Sequence, residues 1–204
     1  MNVSKKRGFF GVVAEPRSYL NIVYLLLAFP LGTFYFVFLV TGLSLGFGLI
    51  ITLFGVPILL LVFKGSWALC RFEREVAITL LNEDIPLSVS RPASGGLWSR
   101  VKALLKDRVT WTGVLYLFLK FPLGIVTFTI SVTLIAVTVG LLAAPTYMWT
   151  SDSLVWGSWS FDPFPWSWIL TIIGIPMVFI SLHLMNAIAI LFGRMTRLML
   201  EKLQ

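Results

Sequence analysis

The sequence predicts an all-α integral membrane protein: four transmembrane helices arranged as two parallel helical-hairpin repeats, with amphipathic cytoplasmic helices and a tryptophan-rich extracytoplasmic insertion. Three observations predict it. Hydrophobic residues make up 58% of the 204-residue chain and charged residues only 12%, at a mean hydropathy of +0.92. A soluble domain carries roughly 25% charged residues. Residues 18–63 contain no charged side chain, and between Phe121 and Gly193 the only charges are Asp152 and Asp162. A motif from the first of these blocks returns in the second.

The first block holds 46 residues. As one straight helix it would be about 69 Å long, against a hydrocarbon core of about 30 Å. It must turn back, and Thr41-Gly42-Leu43-Ser44-Leu45-Gly46 is the natural place. Helix one is therefore expected over 19–41 and helix two over 47–64. Helix three is expected from Thr112 to Leu142 and helix four from Trp166 to Ile190. Between them Trp149, Trp156 and Trp159 lead into Trp166 and Trp168. Tryptophan favours the headgroup layer, where an apolar ring and a polar N–H both find partners. Pro163 and Pro165 argue against helix at this point. The spacing of Val155, Gly157 and Trp159 suits a short strand or hairpin.

Sixteen basic residues set the orientation. Four precede the first span, eight lie between residues 64 and 111, and Arg194, Arg197 and Lys202 follow the last span. The two loops on the other side have none. Positive-inside bias then puts both termini and the 64–111 connection in the cytoplasm of a multi-pass cell-membrane protein. The net charge of +7 sits at the edges of apolar blocks, which argues for membrane orientation and against nucleic acid. Lys5-Lys6-Arg7 begins like a signal peptide, but Glu15 and Pro16 break the apolar run, so the first span is expected to stay. Lys120, two turns into helix three, is placed either to snorkel to the inner headgroups or to pair inside the bundle.

YLLLAFPLG at Tyr24–Gly32 recurs as YLFLKFPLG at Tyr116–Gly124, identical at seven of nine positions and offset by 92. Thr52–Pro57 is then echoed by Thr171–Pro176 at an offset of 119. The difference is a 27-residue insertion on the tryptophan-rich side. The expected organisation is a single membrane domain over 1–204. Repeat one covers 17–81, a linker 82–108, and repeat two 109–200 with the insertion at 143–165. Both copies start and finish on the same side, which makes them parallel repeats about an axis along the membrane normal. Pro30, Pro57, Pro122 and Pro176 are read as kinks, suited to closely packed crossings or to a cavity. Leu69, Phe72, Val76 and Leu80, and again Trp98, Val101 and Leu105, recur at helical spacing and read as amphipathic helices at the inner leaflet.

Catalytic patterns are missing: the chain has no HExxH, CxxC, phosphate-binding loop or dinucleotide glycine pattern. No cofactor or metal is called for, and Cys70 is alone. Glu73, Glu75, Glu83 and Asp84 are expected at the cytoplasmic surface. Asp152 and Asp162 suit turn caps better than a cation. His183 and Asn186, three residues apart in the last span, should both face protein, because lipid offers them no hydrogen bond.

YLLLAFPLGTFYFVFLVTGLSLGFG at 24–48, GLWSRVKALLKDRVTWTGVLYLFLKFPLG at 96–124 and LHLMNAIAILFGRMTRLML at 182–200 together resemble a sensor-domain family of archaea and actinobacteria. That domain often stands N-terminal to membrane histidine kinases. The resemblance implies membrane sensing, with helices passing a signal to cytoplasmic domains, and supplies no ligand or catalytic residues. No kinase domain follows residue 200 here, so a separate signalling protein is expected as partner. The bilayer, anionic headgroups at the cytoplasmic face and a second copy of the chain complete the expected partners. The functional expectation is a non-enzymatic sensor or regulatory module. A small transporter or lipid-handling protein is the first alternative, and a structural or assembly subunit the second. Candidate sensing or coupling residues are Trp149, Trp156, Trp159, Trp166, Trp168, His183, Asn186 and Lys120.

Overall fold

The computed structural model describes residues 9–52, 54–81, 108–148, 154–156, 159–161 and 163–201. After a 3-10 turn at Phe9–Ala14, helix α1 runs Pro16–Gly48 and a second 3-10 turn follows at Ile50–Thr52. Helix α2 runs Gly55–Val76 and ends in a π-helical turn, Ala77–Leu81. Helix α3 covers Arg108–Leu142, the short α4 Ala144–Met148, and α5 Pro163–Glu201. Strands β1 (Leu154–Trp156) and β2 (Trp159–Phe161) pair antiparallel, with Trp156 opposite Trp159. The long helices supply four spans apolar enough to cross a membrane. The chain is a multi-pass membrane protein.

The first reversal is later than expected. The helix passes through Thr41–Gly46 and turns after Gly48, where the Leu49 carbonyl accepts from the Thr52 and Gly55 amides at 3.1 and 3.0 Å. Gly42 and Gly46 are packing positions: a Cβ on either would lie 2.5 Å from a side-chain carbon of Val62 or Leu59. Small residues in a membrane helix let a neighbour approach and need not break it. Helix two likewise continues beyond residue 64, because nothing between Phe63 and Leu69 interrupts the backbone ladder. The stretch expected as a separate amphipathic helix is the continuation of α2. Its Val76, Leu80 and Leu81 pack on the core, while Phe72 is exposed. The second such stretch, around Trp98–Leu105, lies outside the described residues.

Helix α5 begins at Pro163, earlier than expected. Pro163 and Pro165 fall in its first turn, where the amides have no intrahelical partner to lose. Pro30, Pro122 and Pro176 lie inside their helices. Pro57 is the third residue of α2 and interrupts no hydrogen bond there. All four prolines are exposed.

Helices α1 and α3 form the central pair. Ser18, Leu25, Gly32, Leu39 and Gly46 are buried along α1 at intervals of seven. Thr110, Leu117, Gly124, Ser131 and Thr138 are buried along α3 at the same interval. A seven-residue period is the signature of a continuous helix–helix seam. The two backbones touch at its centre: a Cβ on Gly32 would lie 2.7 Å from the Lys120 carbonyl oxygen, and one on Gly124 2.5 Å from that of Ala28. Phe29 meets Phe128 with ring centroids 5.1 Å apart, and Phe36 meets Phe121 at 4.5 Å. Helices α2 and α5 pack around this pair.

Gly32→Ala and Gly124→Ala should therefore each lower stability by about 1–3 kcal/mol through overpacking against backbone that cannot yield. Gly48→Ala, where a Cβ meets nothing within 4 Å, should be close to neutral. Thermal unfolding in one detergent measures all three, and equal losses would contradict the crossing.

Candidate functional site

Glu73 on α2 is fully buried, and so is Lys120 on α3. The Lys120 ammonium donates to Glu73 Oε1 and, at 2.7 Å, to the Tyr24 hydroxyl. It lies 4.4 Å from the centroid of the Tyr24 ring, within range of the ring's negative face. Tyr24 in turn donates to Glu73 Oε1 at 3.2 Å, and Tyr35 donates to Oε2 at 3.0 Å. Both carboxylate oxygens are engaged, and three helices meet on one side chain. The cluster lies toward the end of the bundle where α1 and α3 begin and α2 finishes.

Each contributor reaches the site for a local reason. Tyr24 and Tyr35 are eleven residues apart on α1, about three turns, so they share a face. Glu73 follows Cys70 by three residues and precedes Ala77 by four, and both neighbours are buried. Helical phase thus carries the carboxylate inward with them. The expectation that Glu73 lies at the cytoplasmic surface is corrected by its complete burial. Glu75, two residues on and so on another face, is exposed and pairs with Arg74 at 2.8 Å. Of the two placements open to Lys120, pairing inside the bundle is the one adopted.

A second polar layer ties α5 to the central pair. Asn21 on α1 donates to the Asn186 side-chain oxygen at 2.9 Å, and Asn186 donates to Ser18 at 2.9 Å. Tyr116 on α3 and Thr196 on α5 share a hydrogen bond of 3.0 Å, and Thr138 and Ser181 one of 2.8 Å. His183 is exposed, whereas Asn186 is half-buried. Three residues at 3.6 per turn leave the two side chains about 60° apart, enough to straddle the edge of the packed face. Trp166 and Trp168 are exposed near the start of α5. Trp156 and Trp159 are known by their backbone pairing alone, and Trp149 and Asp152 lie outside the described residues, as does Asp162.

Sequence reasoning missed Glu73, Tyr24 and Tyr35. A signal was available: Lys120 is the one charge in YLFLKFPLG and stands where YLLLAFPLG has Ala28. A charge placed that far into an apolar helix, where it does not snorkel, needs a polar partner on a neighbour. Among the described residues no group of three or more His, Cys, Asp or Glu could hold a metal ion. The Cys70 thiol is buried and donates to the Gly113 carbonyl at 3.7 Å.

Breaking such a pair strands a buried charge at a cost of about 3–5 kcal/mol, whereas replacing both partners by neutral groups is often tolerated. Glu73→Gln and Lys120→Met should each destabilise by that amount. The double variant should recover most of the loss, giving a coupling of about 2 kcal/mol or more in a double-mutant cycle. Additive losses in detergent unfolding would mean that the pair is not coupled.

Residues 24–200 match the model of the family described as "Putative sensor". Comparison with curated proteins and with solved structures finds no match. The matched span takes in Tyr24, Tyr35, Glu73, Lys120 and Asn186, and so includes every helix that builds the buried cluster. This four-span membrane chain belongs to that sensor family.

Proposed function

We propose that the chain is a non-enzymatic membrane sensor module that passes a signal to a separate cytoplasmic partner. The observation that carries this reading is the convergence of three helices on Glu73, one turn before α2 passes into the π-helical turn Ala77–Leu81. A fully satisfied charge cluster has two distinct arrangements, closed and broken, because the low-dielectric interior penalises anything between them. Such bistability is what a switch requires. Membership of the sensor family supports the same reading, and the closure of the cluster, with every charge partnered, weighs against a transport pathway.

The reading includes two parallel hairpin repeats, residues 17–81 and 109–200, with both termini and the intervening linker in the cytoplasm. Several features support the duplication. The two buried series on α1 and α3 differ at every member by the repeat offset of 92. Gly32 lies on Lys120 while Gly124 lies on Ala28, and these four positions exchange under that offset. The pairs Phe29–Phe128 and Phe36–Phe121 exchange in the same way.

Helix α5 offers a second route for the signal. It runs without a break from the outer hairpin to Arg194 and Arg197, fastened on the way by Asn186 and Thr196. Trp156, Trp159, Trp166 and Trp168 stand at its outer end and would receive the signal, with Trp149 just before them.

Two experiments test this. Single cysteines at positions 4, 90 and 158, in a version lacking Cys70, should label with a membrane-impermeant reagent in intact cells only at 158. Labelling at 90 from outside would reverse the orientation. Replacing Trp156 and Trp159 with alanine should alter a spin label at Met199 in lipid without loss of insertion. An unchanged label would leave passive assembly as the better description of α5.

A further inference from the structure

The partners of the Lys120 ammonium make up a recognisable chemical site. Glu73 supplies a carboxylate, Tyr24 a hydroxyl and a ring face, and Tyr35 a hydroxyl that holds the second carboxylate oxygen. A carboxylate beside an aromatic face is how proteins select ammonium groups from water or lipid. All four side chains are buried to within 1% of complete. The receiving groups come from α1 and α2, and the ammonium arrives from α3 on a stem of four methylenes.

The repeat shows that the stem is not needed to build the helix. Lys120 corresponds to Ala28, which is buried against Gly124 in the same FPLG frame. On one side of the crossing alanine suffices, and on the other a lysine reaches across to a carboxylate. A buried ion pair is seldom the most stabilising way to fill such a space.

We propose that Glu73, Tyr24 and Tyr35 form an ammonium-binding site, that Lys120 is its tethered occupant, and that a membrane-borne primary amine is the ligand class that competes with it. An apolar stem is required of the ligand because the site is closed to water and its present occupant enters along an apolar helix. Displacement of Lys120 separates α3 from α2 while Glu73 stays neutralised, which moves the π-helical turn that follows. This consequence rests on the sensing reading above; the site itself does not.

Lys120→Ala removes three carbons and one nitrogen, the atoms of propylammonium. The purified Lys120→Ala chain in detergent should lose thermal stability, and n-propylammonium chloride should restore most of it in a concentration-dependent way. Sodium chloride and n-propanol should not, and neither should propylammonium added to Lys120→Ala/Glu73→Gln. If Lys120→Ala is recovered from membranes only with amine present, that dependence is the same result. Absence of rescue, or equal rescue by propanol or in the double variant, overturns the site. In the wild-type chain in lipid, decylammonium but not decanol should shift an environment-sensitive fluorophore at Thr79, and Glu73→Gln should abolish the shift. Rescue without that shift would keep the ammonium site and overturn its competition with Lys120, and with it the signalling role assigned to the cluster.

Discussion

A charge in the interior of a bilayer protein cannot turn to water, so it must be answered by a neighbour. Glu73 is answered by three side chains from two other helices, and that requirement sets the arrangement of α1, α2 and α3 at one end of the bundle. The cost of stranding either charge is of the same order as half the stability of an ordinary domain. The relative rotation of these helices is therefore fixed more firmly than apolar packing alone would fix it. Hydrocarbon side chains facing hydrocarbon lipid gain little by turning inward.

The glycine crossing makes the polar contacts reachable. With Gly32 and Gly124 each set against the opposite backbone, α1 and α3 approach closely enough for Tyr24 to meet the Lys120 side chain. A bulkier pair of residues would separate the helices and leave the hydroxyl short. The prolines beside these glycines face outward. Their missing amides thus lie on the lipid side of the crossing, where they do not disturb the seam. One motif, FPLG, carries both properties: an outward residue that tolerates a broken ladder and an inward residue that permits contact.

The polar contacts are graded along the bundle. Near one end an ion pair with two tyrosines joins α1, α2 and α3, and two neutral hydrogen bonds each join α5 to α1 and to α3. Ser131, the fourth of the five buried positions along the α3 seam, is the one buried side-chain oxygen among the described residues without a hydrogen-bond partner. The polar contacts of α5 are thus neutral hydrogen bonds, each worth about 0.5–1.5 kcal/mol, whereas those of α2 include an ion pair.

Much of this molecule is written in its sequence. Charge-free length and composition determine that four helices cross a membrane, because hydrocarbon excludes charge and a helix needs about twenty apolar residues to span it. The spread of lysine and arginine predicts an orientation, and of the two positions where YLLLAFPLG and YLFLKFPLG differ, Lys120 is the charged one. The tertiary structure alone decided the faces. Gly42 and Gly46 read as a turn until Val62 and Leu59 fill the space above them. Glu73 reads as a surface acid among Arg71, Arg74 and Glu75 until α2 proves continuous and its phase carries that one residue inward. His183 and Asn186 read as a pair until the packed face of α5 ends between them. Hydropathy is a sum along the chain and survives any rotation of a helix about its axis. Which carboxylate meets which ammonium depends on that rotation, and only the packing of neighbouring helices sets it.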